Sequence, residues 1–330
     1  MLLRAVLLHG LLLADVAALR SLKRDKPVKK ALGPESRNCR YRTSSRRQRH
    51  NDTDVVVGGT VVSKLEEFPF LAWIGDYDGT NLMHFCGGTL ISNRVVLTAA
   101  HCVYPEAVRN AQVWVRFGIL DYTAQTGVAR GIVNWKVHEM YDGHVINNDI
   151  ALLLLNESVP TEIVAPVALP VANSSINTGS LMEVAGWGST DEECMEYDTL
   201  LRKAELPLGT TGSRCSIPGS KELGPELDFD STRQLCAGNF KGKARYPGCG
   251  DSGGPLLAQG VNEVEGAMWR GSWTGNSTSN WTQVGLVSWT YGMPYPDVFT
   301  RISSYRDWID NASTALVQEG RRTDVTFAYW

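Results

Sequence analysis

Three polar side chains of this sequence are of the types that carry out nucleophilic acyl transfer. Ser252 lies among glycines in Gly250-Asp251-Ser252-Gly253, directly ahead of an apolar run. A serine hydroxyl is a weak nucleophile at neutral pH, so it needs a neighbouring base and donors for the charge that develops on a carbonyl. His101 is a candidate for the base, and Asp149, at the mouth of an apolar strand, is a candidate for the group that orients it.

Each of these residues also has a purely structural interpretation. The glycine-rich segment is typical of a tight turn that enters a strand, His101 fits a hydrogen-bonded structural histidine, and Asp149 fits a turn cap. A buried aspartate without a partner is costly, however. Together the three residues form the set that acyl transfer requires, because the acid orients the imidazole and the imidazole takes the serine proton.

The elements that must position these residues read as short strands. From residue 55 onward, β-branched and aromatic runs alternate with turn residues, which predicts an all-β barrel or sandwich. A proline-containing stretch, 164–170, is the predicted junction of two β units, and residues 305–317 are a predicted helix. The clearest strand signals are residues 68–74, 89–91, 95–97, 113–117 and 150–155.

The start of the chain differs from the rest in composition. Residues 1–18 combine an early arginine with a leucine-rich run and small residues, which predicts a cleaved signal peptide, and no other segment is a transmembrane candidate. The predicted location is therefore extracellular, and six Asn-x-Ser/Thr sites are compatible with a glycoprotein. They begin at Asn51, Asn156, Asn173, Asn276, Asn280 and Asn311.

Charge separates residues 19–55 from the remainder. Residues 20–49 hold 12 of the 32 Lys and Arg side chains, whereas 30 of the 35 Asp and Glu side chains lie from residue 56 onward. A basic tail suits a nucleic acid or a membrane surface. In a secreted chain, a removable pro-segment that the acidic body attracts is the favoured interpretation, with no nucleic-acid or membrane partner.

Several short motifs, in their order, closely resemble those of the trypsin-like serine proteases with the chymotrypsin fold. This resemblance implies two packed antiparallel six-stranded β-barrels with a C-terminal helix, divided here into residues 56–163 and 164–330. It also implies a serine endopeptidase that hydrolyses protein or peptide substrates through an acyl-enzyme and is made as a precursor, with no cofactor. The matching segments are residues 56–59, 85–91, 97–102, 148–152, 186–188, 250–255 and 287–289.

The resemblance assigns roles residue by residue. His101, Asp149 and Ser252 would be the catalytic triad, and the backbone N–H groups of Gly250 and Ser252 would form the oxyanion hole. Asp251 would pair with a new amino terminus at Val56 after activation. The substrate cleft would be lined by Ser288, Trp289 and Thr290.

The activation junction departs from the family pattern. Family members are usually cut after Arg or Lys, but Thr53-Asp54-Val55 precedes Val56. Either an unusual activating protease cuts after Val55, or the chain stays zymogen-like. The competing hypothesis is thus an inactive homologue that acts as a binding or inhibitory protein.

The seven cysteines depart from the pattern as well. The resemblance implies the disulfides Cys86–Cys102 and Cys215–Cys236. Cys249 stands directly before Gly250, out of its usual place, and the cysteine that usually pairs there is replaced by Met293. Because the loop after residue 188 normally lies beside the oxyanion-hole glycine, the hypothesis is a Cys194–Cys249 disulfide. Cys39 is then the odd thiol, or a partner of one of these two cysteines.

The predicted specificity pocket is not that of a trypsin. Tyr246 stands six residues before the serine, where trypsins have an aspartate, and Asp297 stands where a small wall glycine is usual. Thr290 would narrow the entrance. The pocket therefore accepts Lys or Arg through Asp297, or small apolar side chains. The paired glutamates of the trypsin calcium loop are missing after Asp121, so no metal is predicted.

Overall fold

A computed structural model describes most of the chain from Gly59 onward. The predicted signal peptide, the basic segment, Val56 and Cys39 lie outside the described residues. None of the described helices combines the length and the apolar character needed to cross a membrane. The described residues are 59–77, 82–103, 113–143, 146–160, 162, 164–177, 179–191, 194–209, 215, 229–238, 245–260, 280–290 and 295–326.

Six strands of the N-terminal half close into an antiparallel barrel, in the order β2-β3-β4-β7-β6-β5. Alternation sets the inward face of β5, where Val113, Val115 and Phe117 are buried and Trp114 is 38% exposed. The central strands β4 and β7 are buried throughout. The strands are β2 (Leu71–Tyr77), β3 (Leu82–Leu90), β4 (Val95–Thr98), β5 (Val113–Phe117), β6 (Val128–Val137) and β7 (Ala151–Leu155).

The other seven strands form one sheet, in the order β1-β9-β8-β11-β12-β13-β10. Six strands were expected here, and β1 is an additional seventh strand. It comes from the start of the described chain and pairs with β9. Without β1, the outer strands of this sheet are β9 and β10. They meet only at an isolated antiparallel β-bridge between Leu208 and Ala237, so no continuous ladder closes this sheet among the described residues. The strands are β1 (Thr60–Val61), β8 (Leu181–Gly186), β9 (Arg202–Pro207), β10 (Gln234–Ala237), β11 (Pro255–Gln259), β12 (Trp281–Thr290) and β13 (Asp297–Arg301).

The predicted strand types are confirmed, and the differences lie at their ends. β5 has the predicted bounds, whereas β2 starts three residues late because Phe68 and Phe70 are buried in the turn that leads into it. β3 starts seven residues before the predicted segment, since Gly87 and Gly88 carry no strand signal of their own yet pair with β2.

The C-terminal helix α1 (Arg306–Thr326) is longer than the predicted 305–317. Gly320 disfavours a helix, but a Cβ there would lie 2.5 Å from Leu154 Cδ2, so the glycine lets α1 approach the closed barrel. α1 packs on β6 and β7. The buried Arg306 guanidinium donates to the carbonyls of Leu169 and Pro170, which ties the start of the helix to the connection between the halves.

Candidate active site

His101 and Asp149 are brought together at one end of the closed barrel. His101 lies in the 3₁₀ turn Ala100–Cys102 that follows β4, and Asp149 lies two residues ahead of β7. The His101 Nδ1 atom is 2.8 Å from Asp149 Oδ2, and the His101 backbone N–H donates to Asp149 Oδ1 at 3.0 Å. The carboxylate thereby fixes both the backbone and the ring of the histidine.

The same carboxylate is held from the seven-stranded sheet. The Ser288 hydroxyl on β12 donates to Asp149 Oδ2 at 2.6 Å, and the Thr300 hydroxyl on β13 donates to the Asp149 carbonyl at 2.8 Å. Burial of Asp149 on its own raises its pKa, but the interactions with His101 and Ser288 outweigh burial and lower it. Asp149 is therefore ionised at neutral pH although it is only 1% exposed.

Asn148 connects this acid to the C-terminal helix. Its backbone has a left-handed φ of 56°, and its side-chain amide donates to the Met140 carbonyl at 2.9 Å. Its carbonyl oxygen accepts a hydrogen bond from the Tyr305 hydroxyl at 3.0 Å. Burial raises the pKa of Tyr305 to about 12, so the hydroxyl keeps the proton that it donates.

Ser252 lies in a turn whose shape requires glycine on both sides. Gly250 has a φ of 99° and Gly253 a φ of 75°, and a Cβ on Gly253 would lie 2.2 Å from Thr98 Oγ1. The Ser252 carbonyl accepts from the Gly87 N–H at 2.8 Å, which docks the turn on the closed barrel. Within the described part of the chain, no backbone carbonyl accepts the N–H of Gly250 or Ser252.

Asp251 points away from this turn into the protein. Its carboxylate accepts from the Gly188 N–H at 2.8 Å and from the Gly248 N–H at 2.7 Å. A Cβ on Gly186 or Gly188 would lie 2.1 or 2.5 Å from the Asp251 side chain, so these glycines make room for a buried charge. The expected partner, Val56, lies outside the described residues.

The expected pocket residues lie on neighbouring strands. Asp297 at the start of β13 pairs with Thr290 at the end of β12, and the Thr290 side chain hydrogen-bonds the Asp297 carboxyl group. Burial raises the Asp297 pKa to about 7, and the nearby Asp251 charge adds to this. Trp289 is buried and Tyr246 is half-buried in the segment that leads into the Ser252 turn.

His84 is a half-buried residue whose two ring nitrogens are shielded from solvent, and the sequence did not single it out. Its ring stacks on Trp73 and Tyr122 at centroid distances of 5.7 and 6.0 Å, and lies about 3.2 Å from where a Cβ of Gly250 would be. Neither ring nitrogen has a hydrogen-bond partner of ordinary geometry. Weak polar contacts to the backbone of Ile74 and Gly250 do not offset burial, which lowers the His84 pKa to about 4.

Long-range contacts to Asp149 and its neighbour were also missed. Ser288 was expected only to line the cleft, and Thr300 and Tyr305 were not singled out for this site. They are separated from their partners by 139, 151 and 157 residues respectively. Only the Val287-Ser288-Trp289 motif carried a signal for any of them.

The three pairs of cysteines described are joined as disulfides. The Cα atoms are 6.1 Å apart in Cys86–Cys102, and 5.7 Å apart in both Cys215–Cys236 and Cys194–Cys249. These separations are ordinary for disulfides. Among the described residues, the one grouping of metal-ligand side chains is Cys86, His101 and Cys102. It offers no thiolate, because its two sulfurs are bonded to each other.

Known proteins similar to this chain point to one family. Residues 56–309 match the family model for trypsin. The chain is 34% identical to trypsin 5G1 of Aedes aegypti over 262 residues, which cover 78% of this chain and 85% of that protein. The identity to trypsin-1 of Astacus astacus is also 34%, over 77% of this chain and 98% of that protein. Phenoloxidase-activating factor 1 of Holotrichia diomphalia is also 34% identical, over 74% of this chain and 66% of that protein. The chain belongs to the trypsin family of serine proteases.

Proposed function

We propose that this chain is a secreted serine endopeptidase, made as a precursor, that hydrolyses peptide bonds of proteins. The observation that carries the proposal is the buried array in which Asp149 binds both the ring and the backbone of His101 and accepts a hydrogen bond from Ser288. Family membership alone is a weaker argument, because a fold hosts active and inactive members.

In the proposed reaction, ionised Asp149 keeps the proton of His101 on Nδ1, which leaves Nε2 free to accept a proton. Nε2 takes the Ser252 hydroxyl proton while Oγ bonds to the scissile carbonyl carbon. The carbonyl π electrons move to oxygen, and the N–H groups of Gly250 and Ser252 stabilise that anion. His101 then protonates the leaving amine, the C–N bond breaks and an acyl-enzyme remains. Water, deprotonated by His101, releases the acid by the same steps.

The proposed specificity depends on Asp297. With a pKa near 7, this carboxyl group is partly protonated in the empty pocket, and a bound Lys or Arg side chain would stabilise its charged form. Cleavage after small apolar residues is the alternative, because the exposed Thr290 at the end of β12 lies opposite Asp297. A peptide library separates the two: cleavage with no basic preference would remove this role of Asp297.

The proposed extracellular setting follows from the predicted signal peptide and is compatible with the sequon positions. The four sequon asparagines within the described residues, Asn156, Asn173, Asn280 and Asn311, are all exposed. Some family members are activated by other proteases, and two relatives are called phenoloxidase-activating factor 1 and melanization protease 1. We infer a protein substrate and a separate activating protease for this chain as well.

The decisive experiment is active-site labelling. Secreted, processed protein is incubated with a fluorophosphonate probe beside Ser252→Ala and the matched control Ser304→Ala, whose serine lies just before α1. We expect labelling of the unchanged protein and the control, and none of Ser252→Ala. Absence of labelling in the unchanged protein would contradict the proposed enzyme.

The second candidate, a zymogen-like or inactive homologue with a binding or inhibitory role, is favoured by the activation junction. No basic residue stands at Val55-Val56, and the nearest, Arg49, is seven residues before Val56. Amino-terminal sequencing of the secreted protein separates the two: a start at Val56 supports the enzyme, and a start at His50 supports the second candidate.

A further inference from the structure

We propose that the Cys194–Cys249 disulfide is a positioning element of the oxyanion hole, which holds the Gly250 N–H in its productive direction. The proposal rests on the proposed function, because the direction of the Gly250 N–H matters for catalysis only if this chain carries out the proposed acyl transfer. It goes beyond the pairing itself, since most disulfides stabilise a fold without acting on a catalytic group.

The argument starts from the position of Cys249 in the chain. It stands between Gly248 and Gly250, and Gly250 is followed by Asp251 and Ser252. Glycine restricts its own backbone little, so a turn that contains two of them needs external contacts to keep one shape. Cys249 lies between two glycines and so carries the one side chain of residues 248–250. That side chain is bonded to Cys194.

The backbone of Cys249 is held by the same neighbouring segment. The Cys249 N–H donates to Ser189 Oγ at 2.9 Å, and the Ser189 N–H donates to the Cys249 carbonyl at 2.7 Å. Ser189 is fully buried, and a Cβ on Gly248 would lie 2.2 Å from its carbonyl oxygen. Cys249, directly ahead of Gly250, thus has two hydrogen bonds to Ser189 and a disulfide to Cys194.

On the other side of the disulfide, described residues that flank Cys194 are hydrogen-bonded to one another. The Asp191 carboxylate accepts hydrogen bonds from the N–H groups of Met195 and Glu196 at 2.9 and 2.8 Å. The Thr190 N–H donates to the Glu196 carbonyl at 2.8 Å. The disulfide therefore joins Cys249 to a part of the chain whose described residues have hydrogen bonds of their own.

The same segment also supplies the donor that holds Asp251. Gly188, one residue before Ser189, donates to the Asp251 carboxylate at 2.8 Å. Gly188, Ser189 and Cys194 therefore hold the Ser252 turn on both sides of Gly250, through Cys249 before it and Asp251 after it. Within the described part of the chain, no backbone carbonyl accepts the Gly250 N–H, so these flanking contacts set its direction.

The test compares two disulfides in the processed, full-length protein. Cys194→Ser/Cys249→Ser removes the proposed positioning element without leaving a free thiol, and Cys215→Ser/Cys236→Ser is the matched control. The measurements are kcat, KM, and the affinity of a peptidyl aldehyde, which bonds to the serine and places an oxygen in the hole. Removal of one oxyanion-hole donor costs about 10²–10³ in kcat. We expect a misdirected donor to cost about tenfold in kcat and in aldehyde affinity, with KM nearly unchanged.

The control variant is expected to lose thermal stability and keep its kcat and aldehyde affinity. Equal losses of kcat in both variants, or an unchanged kcat in Cys194→Ser/Cys249→Ser, would overturn the proposal. If that variant does not fold, Ser189→Ala removes the Oγ acceptor of the Cys249 N–H and leaves the disulfide. We then expect about a threefold loss in kcat and in aldehyde affinity, and no loss of either would overturn the proposal.

Hydrogen exchange tests the positioning role of the disulfide independently of whether the protein is an active enzyme. The exchange rate of the peptide that contains residues 247–254 is measured in the unchanged protein and in both double variants. We expect at least tenfold faster exchange there only in Cys194→Ser/Cys249→Ser, whether or not the protein is active. Equal exchange in the three proteins would overturn the positioning role, whereas failure of probe labelling with faster exchange would overturn only the proposed enzyme.

Discussion

The two sides of the candidate site are held by different means. On the His101 side, hydrogen bonds between side chains and backbone fix a buried ion, and they come from both sheets. On the Ser252 side, a glycine-rich turn has little side-chain structure of its own and is held from outside by Gly87, Gly188 and Cys194. The comparison teaches that the acid and base are positioned around one buried carboxylate, whereas the nucleophile turn is positioned by backbone N–H groups and one disulfide from other segments.

The two sides also differ in how burial affects their acids. Asp149 and Asp297 are 1% and 4% exposed, yet the pKa of Asp149 is lowered while that of Asp297 is raised. The difference lies in the partners: Asp149 faces His101 and two hydroxyl or amide donors, whereas Asp297 has the Thr290 side chain and the nearby Asp251 charge. Burial alone does not decide the charge of a carboxyl group.

The largest effect is expected from a substitution that disrupts the contact between Asp149 and His101. Asp149→Asn should lower kcat by about 10⁴, because the amide favours the wrong tautomer of His101. The measurement is kcat on a peptide ester, with the exposed acid of the helix in Asp307→Asn as the control, which should change kcat less than twofold. A loss below tenfold for Asp149→Asn would mean that His101 is oriented by other contacts.

The next effect concerns the acid of the pocket. A folded-state pKa near 7, above the ordinary 3.8, means that Asp297 favours the folded protein when it is protonated. This contribution is complete below pH 3.8, is lost as pH rises through 7, and amounts to about 4 kcal/mol. The free energy of unfolding, measured in urea between pH 4 and 8, should therefore fall with rising pH in the unchanged protein. Asp297→Asn should remove this fall. Asp310→Asn, on the exposed side of α1, is the control.

The same substitution sharpens the comparison through activity. If Lys or Arg side chains bind Asp297, the ratio of kcat/KM for basic substrates to kcat/KM for small apolar substrates should rise as pH increases through 7, because the carboxylate form then becomes populated. This ratio cancels the titration of His101, which affects both kinds of substrate equally. Asp297→Asn should abolish this rise and leave cleavage after small apolar residues unchanged. An unchanged preference profile would show that Asp297 has only a structural role.

His84 gives the opposite pH dependence beside the Ser252 turn. Its folded-state pKa of about 4 lies below the ordinary 6.5, so the neutral ring favours the folded protein. That stabilisation is present above pH 6.5 and is lost as pH falls towards 4, by about 3 kcal/mol. His84→Phe keeps a ring against Trp73 and should reduce this loss in urea unfolding. His138→Phe is the control and should reduce it less, because burial lowers the pKa of His138 less than that of His84.

The smallest effect concerns the contact between α1 and the loop of the acid. Tyr305→Phe removes the hydrogen bond to Asn148, which is worth about 1 kcal/mol, and should lower kcat about fivefold. Because Asn148 positions Asp149 through the backbone, KM should stay constant while the pH at half-maximal kcat shifts. Tyr295→Phe, at an exposed tyrosine, is the control. A stability loss without a change of kcat would limit Tyr305 to a structural role.

Much of the architecture was readable from local sequence. Short β-branched and apolar runs bounded by turn residues predicted β4, β5 and β7 nearly to the residue, since these signals depend on neighbouring positions. The seventh strand of the second sheet, the seven-residue extension of β3 and the later end of α1 were not predictable. They depend on pairing with β9, pairing with β2 and packing on the closed barrel.

The sequence by itself determined which residue types stand in the site. Its motifs marked His101, Asp149 and Ser252, and its cysteine placement suggested the link between Cys194 and Cys249. Only the tertiary structure decided that Ser288, Thr300 and Tyr305 surround Asp149 and its neighbour, and that His84 packs on Gly250. The physical reason is that the hydrogen bonds join residues 139 to 157 positions apart, and His84 and Gly250 are 250 − 84 = 166 positions apart. Strand register and the packing of α1 on the barrel set them, and no local propensity encodes either.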